Sequence, residues 1–114
     1  MHILLIHIGF PGQFKHLVPK LLLRGYKLWA ISKPRKETNY PTDVNYHSYN
    51  LTRGNGTNTH PLCHELESKI IRGEAVARKA LELKSKGFKP DLILGHPGWG
   101  EMLFLGDIWP QVPQ

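Results

Sequence analysis

The chain has one cysteine, Cys63, in 114 residues. No disulfide can close within it, which fits a reducing compartment. No apolar run is long enough to cross a bilayer. The sequence enters His2-Ile3-Leu4-Leu5-Ile6 directly, with no basic segment before it and no cleavage site after it. It reads as a first strand and not as a secretory leader. The sequons at Asn50 and Asn55 are then chance matches in a polar loop. Acidic residues are scarce, 9 against 15 Lys and Arg, for a formal charge of +6 with 7 histidines besides. That surplus favours anionic partners: nucleotides, sugar phosphates, nucleic acid or an acidic membrane surface. No nucleic-acid-binding motif accompanies it, so no nucleic-acid partner is expected. Internal repeats and low-complexity tracts are absent.

The rest is the composition of one soluble, loop-rich domain: 40% apolar and 21% charged residues, with 11 Gly and 9 Pro. Residues 2–8 form a nearly continuous apolar run, as in a central parallel strand covered on both faces. Gly9-Phe10-Pro11-Gly12 is a turn. Residues 13–24 predict a helix with Phe14, Leu17, Val18, Leu21 and Leu22 on one side. Pro19 inside it bends the helix or confines its regular part to one side, and Gly25 stops it. Residues 27–32 and 44–49 predict the second and third strands, separated by a basic, proline-bearing loop over 33–42. Residues 50–60 read as a polar loop. The segment 61–87 predicts a long helix, with Leu62, Leu66, Ile70, Ala77, Leu81 and Phe88 at roughly a four-residue stride. Gly73 within it costs about 1 kcal/mol against Ala and marks a kink or a close approach to the sheet. Residues 92–95 are the fourth strand, 102–105 a short helical turn, and a further strand with its covering helix is expected after "GDIWP". This order predicts an α/β fold: a Rossmann-like open parallel sheet with helices on both faces.

In such sheets ligands bind beyond the carboxyl ends of the strands. Two loops have the right place and chemistry. Gly9 and Gly12 flank the turn after the first strand, where backbone N–H groups and a helix N-terminus suit a phosphate. The spacing is not G-x-G-x-x-G, so a dinucleotide fingerprint is absent; a plain strand-to-helix turn is the other reading. After the fourth strand, His96-Pro97-Gly98-Trp99-Gly100-Glu101 offers a histidine to pair with a phosphate, an indole face for a sugar ring, and a carboxylate to accept from a hydroxyl or act as a base. A tight turn with a packed tryptophan is its alternative. The first and fourth strands are neighbours in the usual order, so the two loops should face each other across a cleft. His16, one turn past the glycine loop, either lines that cleft or lies on the surface. His60, Cys63, His64 and Glu67 cluster at a helix start, and His60 and His64 stand one turn apart, the spacing for a shared metal. No second ligand pair accompanies them, so no metal is assigned and Cys63 reads as a small core residue. Lys33, Arg35, Lys36 and Arg53 form either a basic rim or solvated loop charges.

The stretch "ILLIHIGFPGQFKHLVPKLLLRGYKLWAIS" resembles the opening of family 4 glycosyltransferases, and "RGEAVARKALELKSKGFKPDLILGHPGWGEMLFLGDIWPQVPQ" is more similar still to one bacterial branch of them. The resemblance implies retaining enzymes of the GT-B fold, with two Rossmann-like domains. They move a sugar from a nucleotide-diphosphate donor to a glycan, lipid or small-molecule acceptor, without an essential metal or a cofactor beyond the nucleotide sugar itself. By position, Gly9 and Gly12 match the loop facing the donor phosphates, and His96 matches the strand-end histidine near the donor sugar. His16 matches a first-helix histidine, and Trp99 and Glu101 belong to the branch motif at the sugar or acceptor side. No protein nucleophile is implied; His96 and Glu101 are the catalytic candidates. The donor-binding domain of the family has no counterpart in the chain. Residues 1–114 therefore read as the N-terminal, acceptor-side domain of a truncated or split enzyme, inactive alone and completed by a C-terminal domain in cis or in trans. A cytoplasmic location, with peripheral contact at the inner face of the membrane, is the corresponding expectation. Against this stands a non-catalytic nucleotide- or phosphate-binding module of flavodoxin-like type.

Overall fold

The structure is a computed structural model that describes residues 1–34 and 42–114. Four strands, β1 (His2–Ile6), β2 (Lys27–Ser32), β3 (Val44–Ser48) and β4 (Leu92–Gly95), pair in the order β3-β2-β1-β4, all parallel. The continuous apolar run becomes the central strand. Ile3, Leu4, Leu5 and Ile6 are each at most 1% exposed, because both faces of β1 are covered. Each such side chain contributes about 1.5–3 kcal/mol relative to exposure. The two-residue period of the strands splits the core in two. Ile3, Leu5, Leu28, Ala30 and Val44 pack with Phe10, Phe14 and Val18 beneath α1 (Leu17–Leu23). Leu4, Ile6, Ile31 and Ile93 pack with Ala75, Val76, Ala80 and Leu83 of α2 (His64–Ser85), and with Leu105, Ile108, Trp109 and Val112 of α3 (Leu105–Ile108) and the tail. Helices on both faces of a parallel sheet make the fold Rossmann-like, as expected.

The first helix is shorter than its apolar pattern. A 3-10 turn occupies Gly12–Phe14 and regular α-helix starts only at Leu17. Pro19 is the reason: it sits in the first turn, where a missing N–H costs no hydrogen bond. Leu17 faces solvent instead of the core. Along α2 most of the apolar stride is not the buried face, although Ala77 and, just past the helix, Phe88 pack against the core. Leu62, Leu66, Ile70 and Leu81 are exposed, while Ile71, Gly73, Ala75, Val76, Ala80 and Leu83 are buried. Small residues won because this helix lies close to its neighbours. Gly73 marks a close approach, but to the loop after β4 and not to the sheet. A Cβ on it would lie 2.7 Å from the Gly100 carbonyl oxygen. The last helical turn falls at Leu105–Ile108, later than 102–105, and no strand follows it among the described residues. The tail packs instead: Trp109 and Val112 are buried, and the Ile93 N–H donates to the Pro113 carbonyl at 3.0 Å.

Gly100 is the tightest point of this packing. Its φ is +96°, and a Cβ there would lie 2.2 Å from the Lys69 carbonyl oxygen of α2. Left-handed strain and a backbone clash each cost about 1–3 kcal/mol. Gly100→Ala is therefore expected to lower stability in urea denaturation by at least about 2 kcal/mol. Gly54→Ala, where a Cβ meets nothing within 4 Å, should change it by less than about 0.5 kcal/mol. Equal midpoints for the two variants would show that the helix and the loop are not in backbone contact.

Candidate functional site

The register Ile6↔Gly95 places the next residues of two adjacent strands, His7 and His96, side by side at the carboxyl edge of the sheet. The two loops expected to converge do start from this shared edge. Each histidine is held in the same way. His7 Nδ1 accepts the Gly9 N–H at 3.0 Å, and His96 Nδ1 accepts the Gly98 N–H at 3.0 Å. A neutral imidazole that accepts at Nδ1 carries its proton on Nε2. Neither Nε2 is hydrogen-bonded to the protein among the described residues, so each ring keeps one N–H donor without a protein partner. Glycine follows each ring because the backbone lies against it: a Cβ on Gly12 would lie 2.2 Å from His7 Cε1, and one on Gly98 2.6 Å from His96 Cε1. Phe14 meets the His7 ring edge-on at 5.9 Å. Burial above all holds the His7 pKa below the usual imidazole value, with the charge of His96 a smaller push in the same direction.

His7 was absent from the sequence-based candidates. Its signal was the repeated step from an apolar strand through His to a glycine turn, in "IHIG" and "GHPG", which gains meaning only once β1 and β4 are paired. The glycine loop also differs from expectation. The Gly9 N–H points at His7, not outward, and four residues separate Gly12 from the start of α1. His16 lies at the N-cap position of α1 with its side chain exposed and makes no capping hydrogen bond.

The loop after β4 divides its side chains. Trp99 is 45% exposed, with its ring centroid 6.1 Å from that of His96. Glu101 is 1% exposed, turned inward past the left-handed Gly100. The structure thus keeps His96 and Trp99 together but does not bring Glu101 to their surface. Instead Glu101 Oε1 faces Arg72 Nε of α2 at 3.8 Å, and Arg72 Nε donates to the Trp99 carbonyl at 2.7 Å. Burial pushes the Glu101 carboxyl up to about 6 against the pull of Arg72 and Lys33. The buried Tyr49 phenol, just past β3, is raised by burial and by the charge of Glu101.

The other candidates disperse. Among the described residues no three His, Cys, Asp or Glu side chains converge to hold a metal. His60 Nδ1 accepts the Leu62 N–H at 3.1 Å as a helix cap. Glu67 takes the Gly56 N–H at 2.5 Å and the Thr59 hydroxyl, bonds that hold its pKa below the usual carboxylate range, the Thr59 bond foremost. Cys63 is exposed and not a core residue. It lines a cavity of about 480 Å3 with Leu66, Ile70 and Arg53. Asn55 spends both ends of its amide on α2, donating to the His64 carbonyl at 2.7 Å and accepting from Ser68 at 2.8 Å. Arg53 pairs with Glu74 at 2.5 Å rather than standing in an open rim. Lys33 is half-buried near Glu101, and Arg35 and Lys36 lie outside the described residues. No helix among the described residues is long and apolar enough to cross a membrane.

In parallel Rossmann-like sheets ligands bind beyond the carboxyl ends of the strands, and here that edge carries His7 and His96. Residues 24–114 match the family described as the Glycosyl transferase family 4 group. The chain belongs to that family, and its general chemistry is glycosyl transfer. The matched span holds β2, β3, α2, β4 and the His96–Glu101 loop, while β1 and His7 precede it. No curated protein and no solved structure matches the chain.

The buried carboxyl sets a pH dependence. Its folded pKa of about 6 lies above the ordinary 4.5, so between these values the native state holds a proton that the unfolded chain releases. Stability then falls as pH rises through that window, by about 2 kcal/mol in total at about 1.36 kcal/mol per unit. Glu101→Gln lacks this component. Relative to wild type it should gain about 2 kcal/mol between pH 4.5 and pH 7 in urea denaturation. Parallel stability curves for the two proteins would remove the raised carboxyl from consideration.

Proposed function

We propose that the chain is the N-terminal, acceptor-side domain of a retaining GT-B glycosyltransferase. It works with a donor-binding domain to move a sugar from a nucleoside diphosphate to a hydroxyl of a glycan, lipid or small-molecule acceptor. In the transfer, the bond from the anomeric carbon to the diphosphate oxygen breaks and one to the acceptor oxygen forms. The acceptor's proton leaves with the diphosphate. The observation that carries this reading is the pair of Nε2 donors on His7 and His96 at the ends of β1 and β4, in a member of a glycosyltransferase family. Ring donors fixed before the ligand arrives suit the charge that develops on a departing diphosphate. Trp99, exposed beside His96, offers an apolar face to a sugar ring. Gly9 and Gly12 serve this site by seating His7 and not by pointing their own N–H groups at phosphate. Glu101 lies beneath the site, facing Arg72. The basic surplus of the chain, +6 overall, favours an anionic donor and a place at the cytoplasmic face of a membrane.

The reading is tested with the chain joined to the donor-binding domain, and turnover followed as nucleoside diphosphate release. His96→Ala should reduce kcat roughly 100-fold or more, the usual cost of a lost oxyanion donor. His7→Ala should reduce it in the same direction, with the acceptor KM little changed. Turnover at the wild-type rate in His96→Ala would sink the assignment. Tight nucleotide binding by residues 1–114 alone, with no transfer in the joined protein, would point to a binding module.

A further inference from the structure

Arg72 lies on α2, on the side that meets the loop after β4. Its side chain is 17% exposed and that of Glu101 is fully buried. Both Glu101 oxygens, and the Tyr49 hydroxyl, lack a hydrogen-bond partner among the described residues. A buried carboxylate in that state does not stabilise the fold by its bonds, and such ion pairs are often neutral or worse than apolar side chains of equal size. What the pair does is directional. The carboxylate faces Arg72 Nε at 3.8 Å, and the same Nε–H is committed to the Trp99 carbonyl at 2.7 Å. That carbonyl closes the 3-10 turn Pro97–Trp99, the turn in which the Gly98 N–H meets His96 Nδ1.

We propose that Arg72, aimed by Glu101, is the positioning residue of the loop after β4, holding the Trp99 carbonyl so that the His96 ring and the Trp99 indole keep one arrangement at the sheet edge. The loop is then fixed at three points: by β4 at Gly95, by α2 backbone at Gly100, and by Arg72 between them. Without the middle point, the segment from His96 to Gly100 has no other polar tie to α2 among the described residues. The bearing of this latch on transfer rests on His96 and Trp99 being ligand-facing. The latch itself is tested without any ligand.

Two variants separate latch from scaffold. Arg72→Met with Glu101→Met removes both charges together, so that no buried charge is stranded. Arg72→Lys keeps a cation for Glu101 but places a methylene where Nε was. The readout is amide hydrogen exchange by NMR at Gly98, with Gly9 as internal control, since its N–H makes the same bond to His7. Both variants should keep a folded spectrum. Gly98 exchange should accelerate at least about tenfold relative to Gly9, and the Trp99 indole resonance should shift. An unchanged Gly98-to-Gly9 ratio in Arg72→Lys overturns the proposal, and that variant decides alone if the double variant unfolds. A nucleoside diphosphate titration then separates the two readings. A loosened loop with unaltered binding and turnover in the joined protein leaves the latch standing and removes His96 and Trp99 from the ligand site.

Discussion

The carboxyl edge of this domain depends on one backbone contact, the meeting of Gly100 with α2 at Lys69 and Gly73. Neither residue pair leaves room for a methyl group. The contact brings the helix close enough for Arg72 to reach the Trp99 carbonyl and for Leu103 to lie over Gly73. It also turns the chain, so that Trp99 stays outside while Glu101 goes beneath. Interiors are packed too densely for that geometry to vary continuously. The loop is either seated against α2 or it is not. The glycines of "GHPGWGE" therefore have separate tasks. Gly98 lets the backbone lie against its own histidine, and Gly100 lets it lie against another element.

The sheet was legible in the sequence because its signals are local and redundant. An uninterrupted apolar run at 3–6 has few uses other than a doubly covered strand, and the second and fourth strands fall where their patterns put them. Helix faces were less legible. In α2 the large apolar residues Leu66, Ile70 and Leu81 look outward, and the buried face mixes Ile71 and Leu83 with the smaller Gly73, Ala75, Val76 and Ala80. Periodicity of size fails where the packing distance is set by smallness. His96 and Trp99 were legible as a strand-end loop, whereas Arg72 and His7 were not. Their importance comes from pairings, to Trp99 across 27 residues and to β4 through the register, that no linear spacing displays.

Three histidines, His7, His60 and His96, accept the N–H two residues ahead at Nδ1. In two of them the next residue is proline and the pair opens a 3-10 turn, Pro61–Cys63 and Pro97–Trp99. The local device is the same, so the cap by itself says nothing of ligands. Place distinguishes them. His60 caps a turn at the start of α2, on the helix flank. His7 and His96 make the same bond at the ends of the neighbouring strands β1 and β4, side by side at the carboxyl edge of the sheet. A cap that also fixes the tautomer holds the ring in one orientation without any ligand, the preorganisation that the proposed site requires.

The family match begins at residue 24, yet the edge it helps define needs β1. The physical link is the register. Among the described residues β4 has one strand partner, β1, and the residue after Ile6 must lie beside the residue after Gly95 as long as the pairing holds. A one-residue slip would turn Ile3 and Leu5 toward α2 and Leu4 and Ile6 toward α1, exchanging the contents of two fully packed cores. The core therefore enforces the histidine pair: the same alternation that buries β1 on both faces also fixes which residues stand together at its end. In this domain the geometry of the candidate site follows from the hydrophobic pattern of its central strand, with Arg72 and the two α2 glycine contacts supplying only the last adjustment of the loop.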